Sequence, residues 1–297
     1  MAMRVATFHT TSSLLDRTLT TQARLANIQK QESTGLVSTD YAGLGSEAGS
    51  VISLSASIST AESNISAAET VISRSDTIAS VLQDITDLLT NARSSVSATS
   101  TSDELQDLQT SAAEYLEDLE LLLNTQYQGR YIFSGSLTDT EPVDTSSYEA
   151  TDLTTVNTDY YQGDSYTQVI RLDSGTQVEY GVTATLEGIE EAMRALSYLA
   201  NSITLTTSEL DDVDDLLVDA QDAIITATSA AGTVSSRLET YIENEEDYIA
   251  QMEDLATDAT SIDIAAAAVE ATTYETMLEA SYSALSTIIN LSLVDYL

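Results

Sequence analysis

Apolar residues recur in steps of three and four from Leu210 to Ala280, through Leu217, Ile224, Leu238, Leu255, Ile262 and Val269. Within that series only Glu245, Thr273 and Thr276 interrupt the apolar set. A period of 3.5 residues marks a helix that lies against other helices in a left-handed supercoil. Much of the seam is Ala, so its partners come close. At about 1.5 Å per residue an unbroken helix here would reach roughly 105 Å. No domain of its own could bury it, and it needs partners from elsewhere in the chain or from other molecules. One signal argues for a break: Ser261 followed by Asp263 resembles the start of a new helix. After Ala280 the apolar stripe shifts to Tyr274, Leu278, Tyr282, Leu285, Ile288 and Ile289.

The rest of the chain carries shorter patterns. Val5, Phe8, Leu14, Leu15, Leu19, Leu25 and Ile28 predict a first helix over about 1–28, rich in Thr and Ser and so frayed on its own. Gly35, Gly43 and Gly45 predict turns after it. Heptad seams run from Ile58 to Leu89 and from Leu105 to Leu122, separated by a Ser/Thr-rich loop, with Ser102 as the expected cap of the second. From Tyr131 the character changes. Tyr131-Ile132-Phe133 predicts a strand, and 167–172 with 176–180 predict a hairpin around Asp173-Ser174-Gly175. A helix over 187–201 leads back to the long seam. The predicted fold is mainly α: nested long helices forming a coiled coil or bundle from both termini, with a small β-rich insert. Its expected divisions are terminal core helices at 1–35 and 260–297, a helical bundle at 36–130 and 187–259, and an outer insert at 131–186 that projects from the side opposite the ends.

Charge narrows the partners. The 297 residues carry a formal net charge of −38, yet residues 1–60 hold as many basic as acidic groups. So acidic a surface argues against nucleic acid and anionic membrane as partners. It also repels copies of itself, so assembly must overcome that repulsion or proceed in salt that screens it. No stretch is long and apolar enough to span a membrane, and the N-terminal residues lack the apolar core of a cleavable signal peptide. The chain is therefore expected to be cytosolic, or exported by a route that reads no such signal.

Catalytic chemistry has little to build on. There is one His, His9, and no Cys, which leaves the common zinc sites and Cys–His or Ser–His pairs without members. Asp211, Asp212, Asp214 and Asp215 lack the glycine turn and terminal Glu of a calcium loop, and read as a solvated first turn of a helix. Neither enzymatic activity nor a cofactor or metal is expected. The unpartnered stripes at both ends read instead as assembly surfaces. The expected contact residues are Val5, Phe8, Leu15, Leu19, Leu25 and Ile28 near the N-terminus, and Leu278, Tyr282, Leu285, Ile288 and Ile289 near the C-terminus.

Several segments resemble one family. Gln29 to Gly35 is similar to the connector after the first helix of bacterial flagellins. Asn124 to Gly135, with Gly129, Arg130, Tyr131, Phe133 and Gly135, resembles the N-T-x-x-x-G-R-Y-x-F-S-G segment of the hook–filament junction family, hook-associated protein 3. Tyr160 to Asp164, Ala231 to Glu239 and the ending Leu291 to Leu297 resemble further segments of that family. The chain departs from it at Ser38 to Gly45, where a P-S-D-D-P turn is usual, and in its acidity. The resemblance implies a structural subunit of the extracellular flagellum, exported by the flagellar type III apparatus, that joins the hook side to the filament. Implied partners are other copies in a ring, hook-associated protein 1, flagellin, and an export chaperone at the C-terminal helix. A flagellin-type filament subunit is the nearest alternative; a cytosolic coiled-coil scaffold is one of another class.

Overall fold

The computed structural model describes residues 2–99, 101–172, 175 and 177–294. Its elements are α1 (Ala2–Thr34), a 3-10 turn (Tyr41–Glu47), α2 (Ala48–Ala98), α3 (Ser102–Leu123), β1 (Gln126–Tyr127), β2 (Arg130–Tyr131), β3 (Gln168–Arg171), β4 (Gln177–Tyr180), α4 (Glu187–Asn201), α5 (Thr207–Thr260) and α6 (Ile264–Val294). The fold is mainly α, with two small antiparallel sheets in its middle. It packs as two units, residues 1–60 with 248–297, and residues 61–247.

The helix boundaries follow local chemistry. The seam starting at Ile58 belongs to a helix that already begins at Ala48, ahead of the periodic signal. The Ser/Thr-rich loop between the two seams is shorter than their ends suggest, because α2 runs on to Ala98. The cap of α3 is Thr101 rather than Ser102: its hydroxyl accepts from Glu104 N while the Glu104 carboxylate accepts from Thr101 N, a reciprocal capping box. Thr206 and Glu209 repeat that arrangement at the start of α5. The long seam does break where Ser261 and Asp263 suggested. Asp263 is the residue that caps α6, accepting from Ala265 N at 2.9 Å and Ala266 N at 3.1 Å.

Within residues 61–247 the main core joins Ile78 to Val96 of α2, Leu108 to Leu123 of α3, the body of α4, and Val213, Leu217, Ala220 and Ile224 of α5. Ile132, Phe133, Val143, Tyr148 and Tyr160 from the middle of the chain fill the same core. Tyr131-Ile132-Phe133 is not a strand beyond its first residue. Ile132 and Phe133 are fully buried, and the chain turns there to insert them between helices. The hairpin does form, with Ile170 opposite Val178 and Gln168 opposite Tyr180. Opposed residues share a sheet face, so Ile170, Leu172, Val178 and Tyr180 lie together. That face packs on Ala68 and Val71 of α2 and Leu238 of α5. The hairpin thus lies along α2 and α5, because its apolar face needs a partner and two strands alone supply none.

Candidate assembly surface

α1 and α6 pack on each other. Just beyond α1, Leu36 bridges Ser261 in antiparallel fashion, Val37 N donates to Thr260 O at 2.8 Å, and Ile262 N donates to Gly35 O at 3.0 Å. The end of α1 is thereby tied to the start of α6, and the two helices run antiparallel. Gly35 takes φ +72°, the left-handed turn that ends α1.

The contact seam has heptad spacing on both helices. On α1 it comprises Thr11, Leu14, Thr18, Thr21, Leu25 and Ile28; on α6, Ala267, Ala271, Tyr274, Leu278, Ser281, Leu285 and Ile288. All are buried or half-buried. Thr18 sits in it by returning its hydroxyl proton to Leu14 O at 2.8 Å, and Thr21 does the same to Arg17 O. This local bonding satisfies the hydroxyls without a partner on the other helix.

The stripes expected from the sequence therefore divide. Leu25, Ile28, Leu278, Leu285 and Ile288 face the seam within the chain. Leu15, Leu19 and Tyr282 are about half exposed, at 47%, 54% and 50%. The side chains of Val5, Phe8 and Ile289 lie outside the described residues, as does the structure of 295–297. Exposed with Leu15, Leu19 and Tyr282 in the same unit are Ile52, Leu255, Ile264, Val269 and Met277. Ile52, Ile264 and Met277 were missed from the sequence, and Leu255 and Val269 were placed inside the seam. The non-helical residues 261–263 reset the rotation, so the buried face of α6 runs through Ala267 and Ala271, one position out of phase with the period carried forward from α5. The signal was the Asp263 cap itself.

A second constellation joins two of the sequence segments. Gln128 and Gly129, both at positive φ, form the two-residue turn between β1 and β2. Arg130 is exposed, Tyr131 half-buried and Phe133 fully buried. The Asp164 carboxylate caps the Ser134–Ser136 turn: Ser136 N donates to it at 2.8 Å, Tyr166 N at 3.0 Å, and the Ser136 hydroxyl as well. Tyr161 donates from its hydroxyl to Asp164 O at 2.7 Å and Phe133 O at 3.2 Å, and its burial pushes the phenol up to about 12. Gly135 has φ +71°, and a Cβ there would stand 2.4 Å from the Asp164 carbonyl oxygen. Gly135→Ala is expected to cost at least about 1–2 kcal/mol from the left-handed backbone alone, read as a lower midpoint in urea. An unchanged midpoint would show that this junction yields freely.

The same contacts give a pH dependence. Hydrogen bonds from the Ser136 hydroxyl, Ser136 N and Tyr166 N hold the Asp164 carboxyl below its ordinary 3.8. A depressed folded value means the contribution is complete above the unfolded pKa and fades as pH falls through the folded one. Asp152, held at about 2 by Thr154 and Thr155, behaves alike. Stability of 61–247 should fall on acidification below about pH 4, and Asp164→Asn should flatten that fall. An equal acid dependence in the variant would assign it to other groups.

Among the described residues no three His, Cys, Asp or Glu converge as a metal site, and no helix is long and apolar enough to cross a membrane. Asp214 pairs with Arg93 at 3.0 Å.

Residues 5–138 match the family model of the bacterial flagellin N-terminal helical region. A search of curated protein sequences finds no match. Among solved structures, FlgL of Bacillus cereus is similar at 19% identity and a TM-score of 0.55, over 70% of this chain and 98% of that one. A flagellar hook-associated protein from Vibrio parahaemolyticus is similar at 17% identity and a TM-score of 0.54, over 75% and 99%. Residues 5–138 are thus similar to the flagellin N-terminal helical region, and the fold is one shared with FlgL and with a flagellar hook-associated protein.

Proposed function

We propose that the chain is a structural subunit of the extracellular bacterial flagellum, an adaptor that joins the hook side to the filament. The observation that carries this is the antiparallel pair of terminal helices, seamed to each other on one face and exposing apolar side chains on the rest, in a chain with the flagellin N-terminal region. FlgL is a hook-associated protein 3, of the hook–filament junction, and its fold is shared here over most of the chain. Residues 1–35 with 260–297 would form the inner core of a ring, 36–130 with 187–259 the middle, and 131–186 the outer surface. Ring neighbours are further copies, with hook-associated protein 1 on the hook side and flagellin on the other. Before export by the flagellar type III route, a chaperone would cover the C-terminal helix. The role is mechanical, and no catalysis is assigned.

Electron microscopy of flagella from cells lacking the gene tests the reading. Hooks without filaments and flagellin shed into the medium are the expected result; hooks that still carry filaments would remove it. The flagellin N-terminal match also favours a filament subunit as second reading. Immunogold labelling separates the two: label along the filament means flagellin, and label confined to its base means junction.

A further inference from the structure

One edge of a guanidinium carries Nε–H and an Nη2–H that point the same way. That fork matches two oxygens of a carboxylate or other oxyanion. Arg93 turns it to Asp214, from Nε at 3.0 Å and Nη2 at 3.5 Å. Arg194 turns it to Glu190. Arg74, on α2, has the same edge drawn in from solvent, and neither Nε nor Nη2 finds an acceptor among the described residues.

Three elements of the 61–247 unit meet at Arg74. Its guanidinium lies over the Tyr180 ring of β4, 6.0 Å from the centroid. Tyr180 stands opposite Gln168 in the hairpin, and the Gln168 amide donates to Gly135 O, soon after β2. That tie brings Arg130 of β2 alongside. Burial lowers the pKa of the Arg74 guanidinium, the Tyr180 phenol raises it, and the positive charge of Arg130 lowers it again. Arg130 is exposed and Arg74 half-buried, and among the described residues neither makes an ion pair. One turn from Arg74 on α2 stand Thr70, Val71, Thr77 and Ile78, none of them acidic. Glu179 adjoins Tyr180 but lies on the other face of the hairpin. A chain with 48 acidic residues thus sets two cations together with no carboxylate between them.

We propose that Arg74 and Arg130 form a binding site for a small dissolved oxyanion of the sulfate or phosphate class. Two of its oxygens accept from Arg74 Nε and Nη2, and a third from the Arg130 guanidinium. A guanidinium does not shed its proton, so a buried one needs a counter-charge as well as acceptors. Water supplies acceptors alone; an oxyanion supplies both. The Arg74 fork lies just beneath the surface, where a small ion can enter. A carboxylate on a second copy must first overcome the repulsion between two chains of net charge −38. Nothing in this site depends on the reading of the terminal helices.

The test uses the full-length chain and sodium sulfate, titrated against sodium chloride at constant ionic strength. Lys and Arg together number only 10, so the arginine Nε–H signals can be followed singly in a proton–nitrogen spectrum. Arg74 is the signal that is absent in Arg74→Lys, and it is identified independently by its contact with the Tyr180 ring. Sulfate is expected to move that signal along a saturating curve. Arg130→Gln removes one charge-assisted hydrogen bond at an exposed position and should weaken the binding about tenfold or more. Arg171→Gln, an exposed change on β3 opposite Gln177, should leave the curve unaltered. A signal that stays still or drifts without saturating, equal affinity in Arg130→Gln, or an equal loss in Arg171→Gln would each overturn the proposal. Sedimentation in chloride separates the other source of the same chemistry. If Arg130→Gln lost self-association while sulfate left the Arg74 signal still, the fork would take a neighbouring copy's carboxylate, and the dissolved-ion site would be wrong.

Discussion

Leu285→Asp is expected to melt like the wild-type chain and yet to leave hooks without filaments. Leu285 lies on the α6 seam, half-buried against α1, seven residues after Leu278 and three before Ile288. The main core, from Ile78 to Ile224, lies in the other unit and does not include it. Full burial of a Leu is worth about 1.5–3 kcal/mol, so a half-buried one loses about 1 kcal/mol in the isolated chain. In an assembly whose neighbours cover the exposed side of α1 and α6, water no longer reaches position 285. The carboxylate is then buried without a partner, at several kcal/mol per subunit. Leu19→Ala should separate the two effects further, since Leu19 is 54% exposed and the isolated chain hardly uses it. Glu117→Lys, an exposed charge change on α3, should leave melting and filaments unaltered. If Leu285→Asp lowered the main melting temperature by many degrees, the terminal pair would be part of the folding core, and its apolar residues would need no partner outside the chain.

The helices and the hairpin were legible because each rests on a local period. Val213, Leu217, Ala220, Ile224 and Leu238 are buried as the 3.5-residue seam of α5 required, and Ile170, Leu172, Val178 and Tyr180 share a face as alternation required. What failed was extrapolation across a break. The period counted through Ile262 put Val269 in the contact, and Val269 is 69% exposed, because three non-helical residues rotate α6 relative to α5. Short-range pattern also cannot say which seam is filled from within the chain. Leu25 and Leu15 look alike in the sequence, and only the placement of α6 makes one a contact within the chain and the other a free surface. The insert was the least legible part. Tyr131-Ile132-Phe133 has strand composition, but its environment is set by Tyr161, Asp164 and Ala184, residues 28 to more than 50 positions away.

Glu190→Ala is expected to be among the most destabilising single changes in the chain. Glu190 and Arg194 are four residues apart on α4, a spacing that in sequence suggests a solvated ion pair of small worth. The structure buries both, at 3% and 5% exposure. The guanidinium donates to the carboxylate from Nε at 3.1 Å and from Nη2 at 3.0 Å. Each partner also holds the loop that covers them: Asn157 N donates to Glu190 at 2.9 Å, and Arg194 donates to Leu153 O. Tyr148 packs edge-on to Tyr160 beneath that loop, and burial raises both phenols above their ordinary value. Removing the carboxylate leaves a buried cation with one carbonyl and an orphaned Asn157 N–H, a loss of about 3–5 kcal/mol. Replacing both residues by Met removes the uncompensated charge, so the double variant should recover part of that loss. Recovery should stop short of wild type, since Leu153 O and Asn157 N still lack partners, at about 1–3 kcal/mol each if they stay buried. Urea denaturation of the two variants gives the comparison, and hydrogen exchange at 153–157 gives the local consequence. A double variant no more stable than Glu190→Ala would mean that the pair's hydrogen bonds to the loop, and not the buried charge, set its contribution.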